Sequence, residues 1–162
     1  MNKRPISPEN ALARVAALCS RCEQAEWDIR KKLNDWGIAQ DKADAIIDRL
    51  IDERYLDENR YANAYARDKF RFGGWGRIKI AFSLKNKHVS QSAINEAIAT
   101  IDENEYLQAL KHALSSKLRT IKDKDELQTK ASLVRFAASR GYEPNLIYSV
   151  LPEIIHCNEE LY

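Results

Sequence analysis

Residues 57–89 read DENRYANAYARDKFRFGGWGRIKIAFSLKNKHV, with two helical segments on either side of a glycine-rich joint. In the first segment, residues 60–72, apolar and basic residues fall on opposite sides at about 100° per residue. The side expected to face a core holds Tyr61, Ala62, Tyr65, Ala66 and Phe72. The other side carries Arg60, Arg67 and Arg71. The pattern predicts an amphipathic helix with an arginine stripe. A solvated helix face is the alternative interpretation of that stripe.

The second segment, residues 75–87, has a wide apolar arc. Its members are Ile78, Ile80, Ala81, Phe82 and Leu84. Between the two segments lies the joint Phe72-Gly73-Gly74-Trp75-Gly76. Glycine permits a close approach of backbones there. Trp75 has two interpretations: it packs the two helices together, or it anchors a partner, since tryptophan is common in binding hot spots.

Outside this stretch, apolar positions recur at an offset of 51 residues. Eight pairs keep their character: Ile29/Ile80, Leu33/Leu84, Ile38/Val89, Ala43/Ile94, Ile47/Ile98, Leu50/Ile101, Tyr55/Tyr106 and Leu56/Leu107. A fainter third copy matches the first at an offset of 104 through Leu133, Ala137, Gly141-Tyr142, Val150, Leu151 and Ile154. Recurrence at such a period is typical of repeat proteins.

Local signals indicate that each copy consists of helices. Proline is absent from Glu9 to Glu143, as expected for a helical chain. Ser7 and Asp57 are suited to cap helix starts, and Gly37 to end a helix. The sequence therefore predicts an all-α fold of three tandem three-helix repeats, at residues 1–54, 55–102 and 103–162. We expect an elongated, curved array, which suits a groove or a filament better than a small molecule.

Basic residues are concentrated in one segment of the chain. Between Arg60 and His88 eight lysines and arginines face the single acid Asp68, although the net charge of the whole chain is only +2. The basic surplus therefore belongs to the second repeat, and it predicts a surface for phosphates, carboxylates or an acidic protein.

Other classes of site are not indicated. Cys19 and Cys22 have the spacing of half a zinc site, which His156-Cys157 would have to complete, but two ligands without a second tight pair are a weak signal. The three histidines stand far apart and in no catalytic motif. We therefore expect no metal, no cofactor and no enzyme activity. No long apolar stretch or signal peptide is evident, so we expect a soluble cytoplasmic protein without a membrane partner.

Three segments resemble the RecX family of regulatory proteins. They are RLIDERYLDENRYA at residues 49–62, GWGRIKI at residues 74–80 and KHV at residues 87–89. The resemblance implies three tandem three-helix repeats and a non-enzymatic partner of the RecA recombinase filament, which modulates and usually inhibits ATP hydrolysis and strand exchange. Two departures stand out: the family commonly has glycine where His88 stands, and often a proline near Arg77.

The resemblance and the basic character of the second repeat together give the candidate partner-binding residues. They are Arg60, Arg67, Arg71, Trp75, Arg77, Lys79, Lys85 and Lys87. The expected partner is the RecA–DNA filament, bound by a monomer. The alternative is a repeat protein that binds single- or double-stranded DNA directly, with Trp75, Tyr61 or Tyr65 stacking on exposed bases.

Overall fold

Side chains cap the starts of several helices. The Ser7 hydroxyl accepts a hydrogen bond from the Asn10 N–H at 3.2 Å, and the Asp57 carboxylate accepts one from the Arg60 N–H at 2.9 Å. The computed structural model describes residues 5–159, with side chains up to residue 157. Within that range the chain forms nine helices and no strand: α1 (Pro8–Arg21), α2 (Glu26–Asp35), α3 (Gln40–Asp52), α4 (Glu58–Arg71), α5 (Arg77–Asn86), α6 (Gln91–Ala99), α7 (Glu103–Leu118), α8 (Glu126–Ser139) and α9 (Pro144–Glu159).

The second helix of each predicted repeat ends in the same left-handed turn. The turning residues are Gly37, His88 and Gly141, at φ of +77°, +58° and +91°. In each turn the next N–H donates to a carbonyl five residues earlier, in the pairs Ile38–Leu33, Val89–Leu84 and Tyr142–Ala137. His88 therefore adopts a conformation that favours glycine, the residue that the family commonly has there.

Burial follows the same repeat. Ile29 and its counterpart Ile80 are fully buried, as are Leu33 and Leu84. The prediction of an all-α fold built from tandem three-helix repeats is confirmed. The boundaries at 1–54, 55–102 and 103–162 and the elongated, curved form stay predictions, and residues 1–4 and 160–162 lie outside the described range.

The chain divides into two compact units. The first comprises residues up to Ala64 together with Leu84–Glu96. Within it α3 packs against both α1 and α2, and the core includes Val15, Ile47 and Leu50. The Glu58 carboxylate accepts hydrogen bonds from the backbone N–H and the hydroxyl of Ser90, at 2.6 and 3.0 Å. These two bonds connect the start of α4 to the start of α6.

The second unit comprises Tyr65–Ser83 and the residues from Ala97 onward. Here α7, α8 and α9 pack against one another in pairs. The fully buried Tyr106 lies between Phe70 and Tyr142, with ring centroids 5.8 and 5.1 Å away. These three aromatic rings connect the end of α4 with the core of the third repeat.

Two backbone segments of the second unit meet at a pair of glycines. The Gly76 N–H donates to the Arg140 carbonyl at 2.6 Å, and the Ile78 N–H donates to the Gly141 carbonyl at 3.0 Å. A Cβ on Gly76 would lie 2.4 Å from the Gly141 carbonyl carbon, and one on Gly141 would lie 2.3 Å from the Lys79 Cβ. The contact therefore excludes side chains at both positions.

The prediction that Phe72 faces the core is wrong. Its side chain is 86% exposed, and Phe70 is buried instead. The reason is that α4 ends at Arg71, so the helical spacing no longer applies to Phe72. Phe70 follows the buried Ala66 by four residues, which puts both on one face of the helix.

The apolar arc predicted for α5 is only partly buried. Ile80 and Leu84 are fully buried, but Ile78 and Phe82 are 51% and 65% exposed. Residues two positions apart on a helix face nearly opposite directions, so one face of α5 packs and the other remains apolar and accessible. The longest described helices have 16 residues, and none is long and apolar enough to span a membrane.

Candidate partner-binding surface

Arg67 and Arg71 lie on successive turns near the end of α4, in the second unit. Each side chain is 56% exposed. Arg67 Nε approaches its neighbour Asp68 at 3.4 Å, and Arg71 approaches Glu105 at 3.7 Å. Both acids are also more than half exposed, and such surface pairs contribute little to stability. The two guanidinium groups therefore remain accessible to a partner.

Trp75 is half-buried between lysines from two helices. The ammonium of Lys69 lies 4.8 Å from its ring centroid, and that of Lys79 lies 4.5 Å away. The Tyr65 ring meets Trp75 edge-on, with centroids 6.5 Å apart. These contacts hold α4 against α5 and gather two positive charges at one ring. They support the packing role of Trp75, and its role in partner binding stays a prediction.

Arg77 lies at the centre of an internal network of the second unit. Its side chain is 21% exposed and donates to Glu103 at 2.6 Å and to Glu143 at 3.3 Å. The guanidinium carbon stacks 3.9 Å from the centroid of the Tyr106 ring. Although burial alone would lower the pKa of Arg77, the bond to Glu103 and the charges of both carboxylates raise it.

Tyr106 completes this network. Its hydroxyl accepts a hydrogen bond from the Arg77 backbone N–H at 3.0 Å and donates one to Glu143 at 2.6 Å. Burial raises the pKa of Tyr106 far above its ordinary value, and the bond to the Glu143 carboxylate raises it further. The start of α5 is thus fixed to α7 and to the residue before α9.

We expect Arg77→Met to lower the free energy of unfolding by about 1–3 kcal/mol. The substitution leaves Glu143, a half-buried carboxylate, without its cation. The measurement is urea unfolding followed by circular dichroism. Lys85→Met is the matched control, because Lys85 is exposed on the same helix, and it should change stability by less than about 0.5 kcal/mol. Equal stability of the two variants would show that the Arg77 network is not structural.

The remaining candidates, Arg60, Lys85 and Lys87, belong to the first unit. Arg60 forms an ion pair with Glu23 and donates to the Arg54 carbonyl at 3.0 Å. The bond to Glu23 raises the pKa of Arg60. Lys87 donates to Asp28 at 2.8 Å. Its ammonium also lies 5.3 Å from the centroid of the Trp27 ring. Lys85 is exposed.

The seven cationic candidates thus fall into two groups. Arg60, Arg77 and Lys87 are held in ion pairs within their own units. Arg67, Arg71 and Lys85 are exposed, and the half-buried Lys79 places its ammonium over Trp75. The candidate residues did not include Lys69, whose partner Trp75 lies beyond the end of α4. The helical pattern placed the exposed Phe72 toward the core, and it did not separate the exposed Phe82 from the buried residues of the α5 arc. Knowledge that α4 ends at Arg71 would have removed Phe72 from the predicted core face.

Cys19 and Cys22 lie at the end of α1 and around its C-cap. Both thiols are free, and partial burial raises the pKa of Cys19, with the negative charge of Glu23 adding to the effect. Among residues 5–159, no group of three or more histidine, cysteine, aspartate or glutamate side chains is arranged to hold a metal ion. These cysteines therefore have no third ligand within the described chain.

Family models match the second and third repeats. Residues 57–98 match the model described as the second three-helix domain of RecX, and residues 103–151 match the third three-helix domain. Among curated proteins, regulatory protein RecX of Clostridium botulinum (strain Eklund 17B / Type B) is 36% identical over 143 residues, which cover 86% of this chain and 65% of the relative. Regulatory protein RecX of Vibrio campbellii is 32% identical over 125 residues, covering 77% of this chain and 79% of the relative.

Two solved structures share the fold. One, described as regulatory protein RecX, superimposes with a TM-score of 0.82 at 19% identity over 90% of this chain and 73% of its own. The other, RecX from Lactobacillus salivarius, gives a TM-score of 0.80 at 17% identity over 91% and 96%. The match spans less than two thirds of the length of the Clostridium botulinum relative. The Vibrio relative, in contrast, is matched over most of its length.

Proposed function

Because the chain belongs to the RecX family of regulatory proteins, we propose that it binds the RecA–DNA filament and inhibits RecA. In this proposal it occupies the helical groove of the filament as a cytoplasmic monomer. It needs no cofactor and catalyses no reaction of its own. Its effect is to lower RecA ATPase activity and strand exchange in recombination and DNA repair.

The main support from the molecule is the exposed pair Arg67 and Arg71. Planar guanidinium groups on successive turns suit carboxylates of an acidic protein surface or phosphates of DNA. Lys79 adds an ammonium that is held in position by Trp75. Arg60, Arg77 and Lys87 serve this surface indirectly, because their ion pairs fix the helices on which the exposed cations stand.

Exposed apolar side chains favour a protein as the main partner. Phe72 directly follows Arg71, and Ile78 directly precedes Lys79, so large apolar groups alternate with cations. Aromatic residues and arginine are enriched at protein interfaces. Burial of Phe72 and Phe82 against RecA would supply binding energy that electrostatic contacts alone do not.

In this mechanism the bound protein acts by occupying space. A body lying in the groove blocks entry of the second DNA molecule. It also restricts the movements between RecA subunits that accompany ATP turnover. The electrostatic part of the binding weakens as salt screens the charges.

The test is RecA-dependent ATPase activity on single-stranded DNA, measured while this protein is titrated in. We expect activity to fall with rising protein concentration, and we expect the half-inhibitory concentration to increase with ionic strength. Unchanged ATPase activity at saturating protein would contradict the proposal. Bovine serum albumin at the same concentration controls for crowding and for nonspecific protein effects.

Direct binding to DNA without a recombinase is the second candidate, supported by the same cations. Its stacking residues fit less well, since Tyr61 is buried and Trp75 already contacts two ammonium groups. Titration against single- and double-stranded DNA, with and without RecA, separates the two functions. Tight binding only in the presence of the filament favours RecA regulation, and equal affinity for bare DNA favours the second candidate.

A further inference from the structure

A basic groove lies in the second unit, on the third repeat, and none of the candidate residues discussed above lines it. It has a volume of about 540 Å³ and is lined by the loop after α7 and by one side of α8. Four of its lining residues are cations, Lys117, Lys122, Lys124 and Arg135, and none is an acid. We call it the α7–α8 groove.

Two of the three acids in residues 123–126 have other roles. The Asp125 carboxylate caps α8 by accepting the Gln128 N–H at 2.7 Å. Glu126 pairs with Lys130 at 2.6 Å. Within the described part of the chain, no ion pair involves any of the four groove cations. The third acid, Asp123, is exposed between Lys122 and Lys124 and offsets part of their charge, but it forms no described ion pair with either. The four groove cations therefore have no paired carboxylate.

Helix capping does not explain the cluster. A cation in the last turn of a helix offsets the partial negative charge of its C-terminus, which accounts for Lys117 at the end of α7. Arg135, in contrast, stands well inside α8, and Lys122 and Lys124 lie in the loop beyond α7. Four like charges around one concavity repel one another, and a bound polyanion would relieve that repulsion.

The groove also offers an ordered hydroxyl group. Lys124 donates to the Ser132 Oγ at 2.9 Å, so the hydroxyl proton of Ser132 is free to donate to a phosphate oxygen. Phe136, the aromatic residue of the lining, already has Lys117 and Arg140 at 5.5 and 5.2 Å from its ring centroid. Recognition here is therefore through charge and hydrogen bonds, not through stacking on a base.

We infer that the α7–α8 groove binds the phosphodiester backbone of single-stranded nucleic acid, independently of base sequence. A flexible single strand can follow a concave site at little cost, whereas a duplex with a persistence length of about 50 nm must be bent at a cost in free energy. Contacts from cations and hydroxyls to phosphates carry no sequence information. The inference goes beyond the proposed function, because it assigns a nucleic-acid site to the third repeat and not to the cations of the second.

The experiment measures binding of fluorescein-labelled dT20 by fluorescence anisotropy, in the absence of RecA. Each cation that contacts a phosphate steepens the salt dependence of binding, with a log–log slope of about −0.7 per contact for single strands. We expect Lys122→Glu with Arg135→Glu to raise the Kd at least about tenfold at 0.1 M salt and to flatten this slope by about 1.4. Both positions are exposed and take no part in the described ion pairs.

The matched control is Lys32→Glu with Lys42→Glu. These lysines are exposed on α2 and α3, and the double substitution changes the net charge by the same amount. We expect it to raise the Kd less than about threefold, because neither lysine lines the groove. Circular dichroism verifies that both variants remain folded.

Three results would overturn the inference. The first is equal weakening by the groove variant and the control. The second is equal competition by poly-glutamate, which would indicate an acidic polypeptide as the ligand. The third is loss of dT20 binding on substitution of Arg67 and Arg71 but not of the groove residues. Because RecA is absent, none of these results bears on the inhibition of its ATPase.

Discussion

Replacement of both Arg67 and Arg71 by glutamate is expected to abolish inhibition of the RecA ATPase and to leave helix content unchanged. Both side chains are more than half exposed, and their ion pairs within the protein are long and accessible. The folded chain therefore loses little when they are replaced. A partner surface of carboxylates or phosphates, in contrast, meets repulsion where it previously met attraction.

We expect the half-inhibitory concentration to rise at least about tenfold, because charge reversal at an interface adds repulsion to the lost contacts. RecA-dependent ATP hydrolysis on single-stranded DNA provides the measurement, and circular dichroism monitors the fold. The double variant Lys32→Glu with Lys42→Glu makes the same change in net charge outside the surface and should inhibit almost normally. Full inhibition by the arginine variant would remove this surface from the mechanism.

The second large effect concerns stability. Gly141→Ala is expected to lower the free energy of unfolding by about 3–5 kcal/mol, since it combines two costs. Its φ of +91° is unfavourable for any residue with a Cβ, and the new methyl group would overlap the Lys79 Cβ at 2.3 Å. Urea unfolding monitored by circular dichroism measures the loss.

Two other glycines separate these costs. Gly37 has a similar φ of +77° but nothing within 4 Å of its missing Cβ, so Gly37→Ala should cost only about 1 kcal/mol. Gly76 has no left-handed φ but would overlap the Gly141 backbone at 2.4 Å, so Gly76→Ala should cost about 2 kcal/mol or more. If Gly141→Ala proved no more damaging than Gly37→Ala, the close contact between the two segments would be refuted.

Most of the fold could be predicted from the sequence, because the helical spacing of apolar residues, and its recurrence 51 residues later, can be read from the order of the residues alone. Ile29 and Ile80 stand 51 residues apart, and both are fully buried. The turn at Gly37 was recognisable for the same reason, since a glycine after a helical stripe is a common helix end. Phe72 was placed toward the core because the sequence does not show that α4 ends at Arg71. A residue beyond the end of a helix does not follow the helical spacing.

The candidate surface was less predictable, because it depends on partners distant in the sequence. Arg77 meets Glu103 and Glu143, and Lys87 meets Asp28, through contacts that no local pattern specifies. Exposure of Phe82 was hidden for a related reason: α5 is apolar on two faces, and only the fold determines which one packs. The α7–α8 groove was missed because its cations come from separate segments that the fold brings together.

The backbone contact of residues 76–78 with residues 140–141 also affects the order in which the molecule is completed during synthesis. Residue 76 leaves the ribosome well before residue 141 has been added to the growing chain. Until then the N–H groups of Gly76 and Ile78 have only water as an acceptor. The central repeat of the nascent protein therefore acquires its final first turn of α5 only after most of the third repeat has been translated.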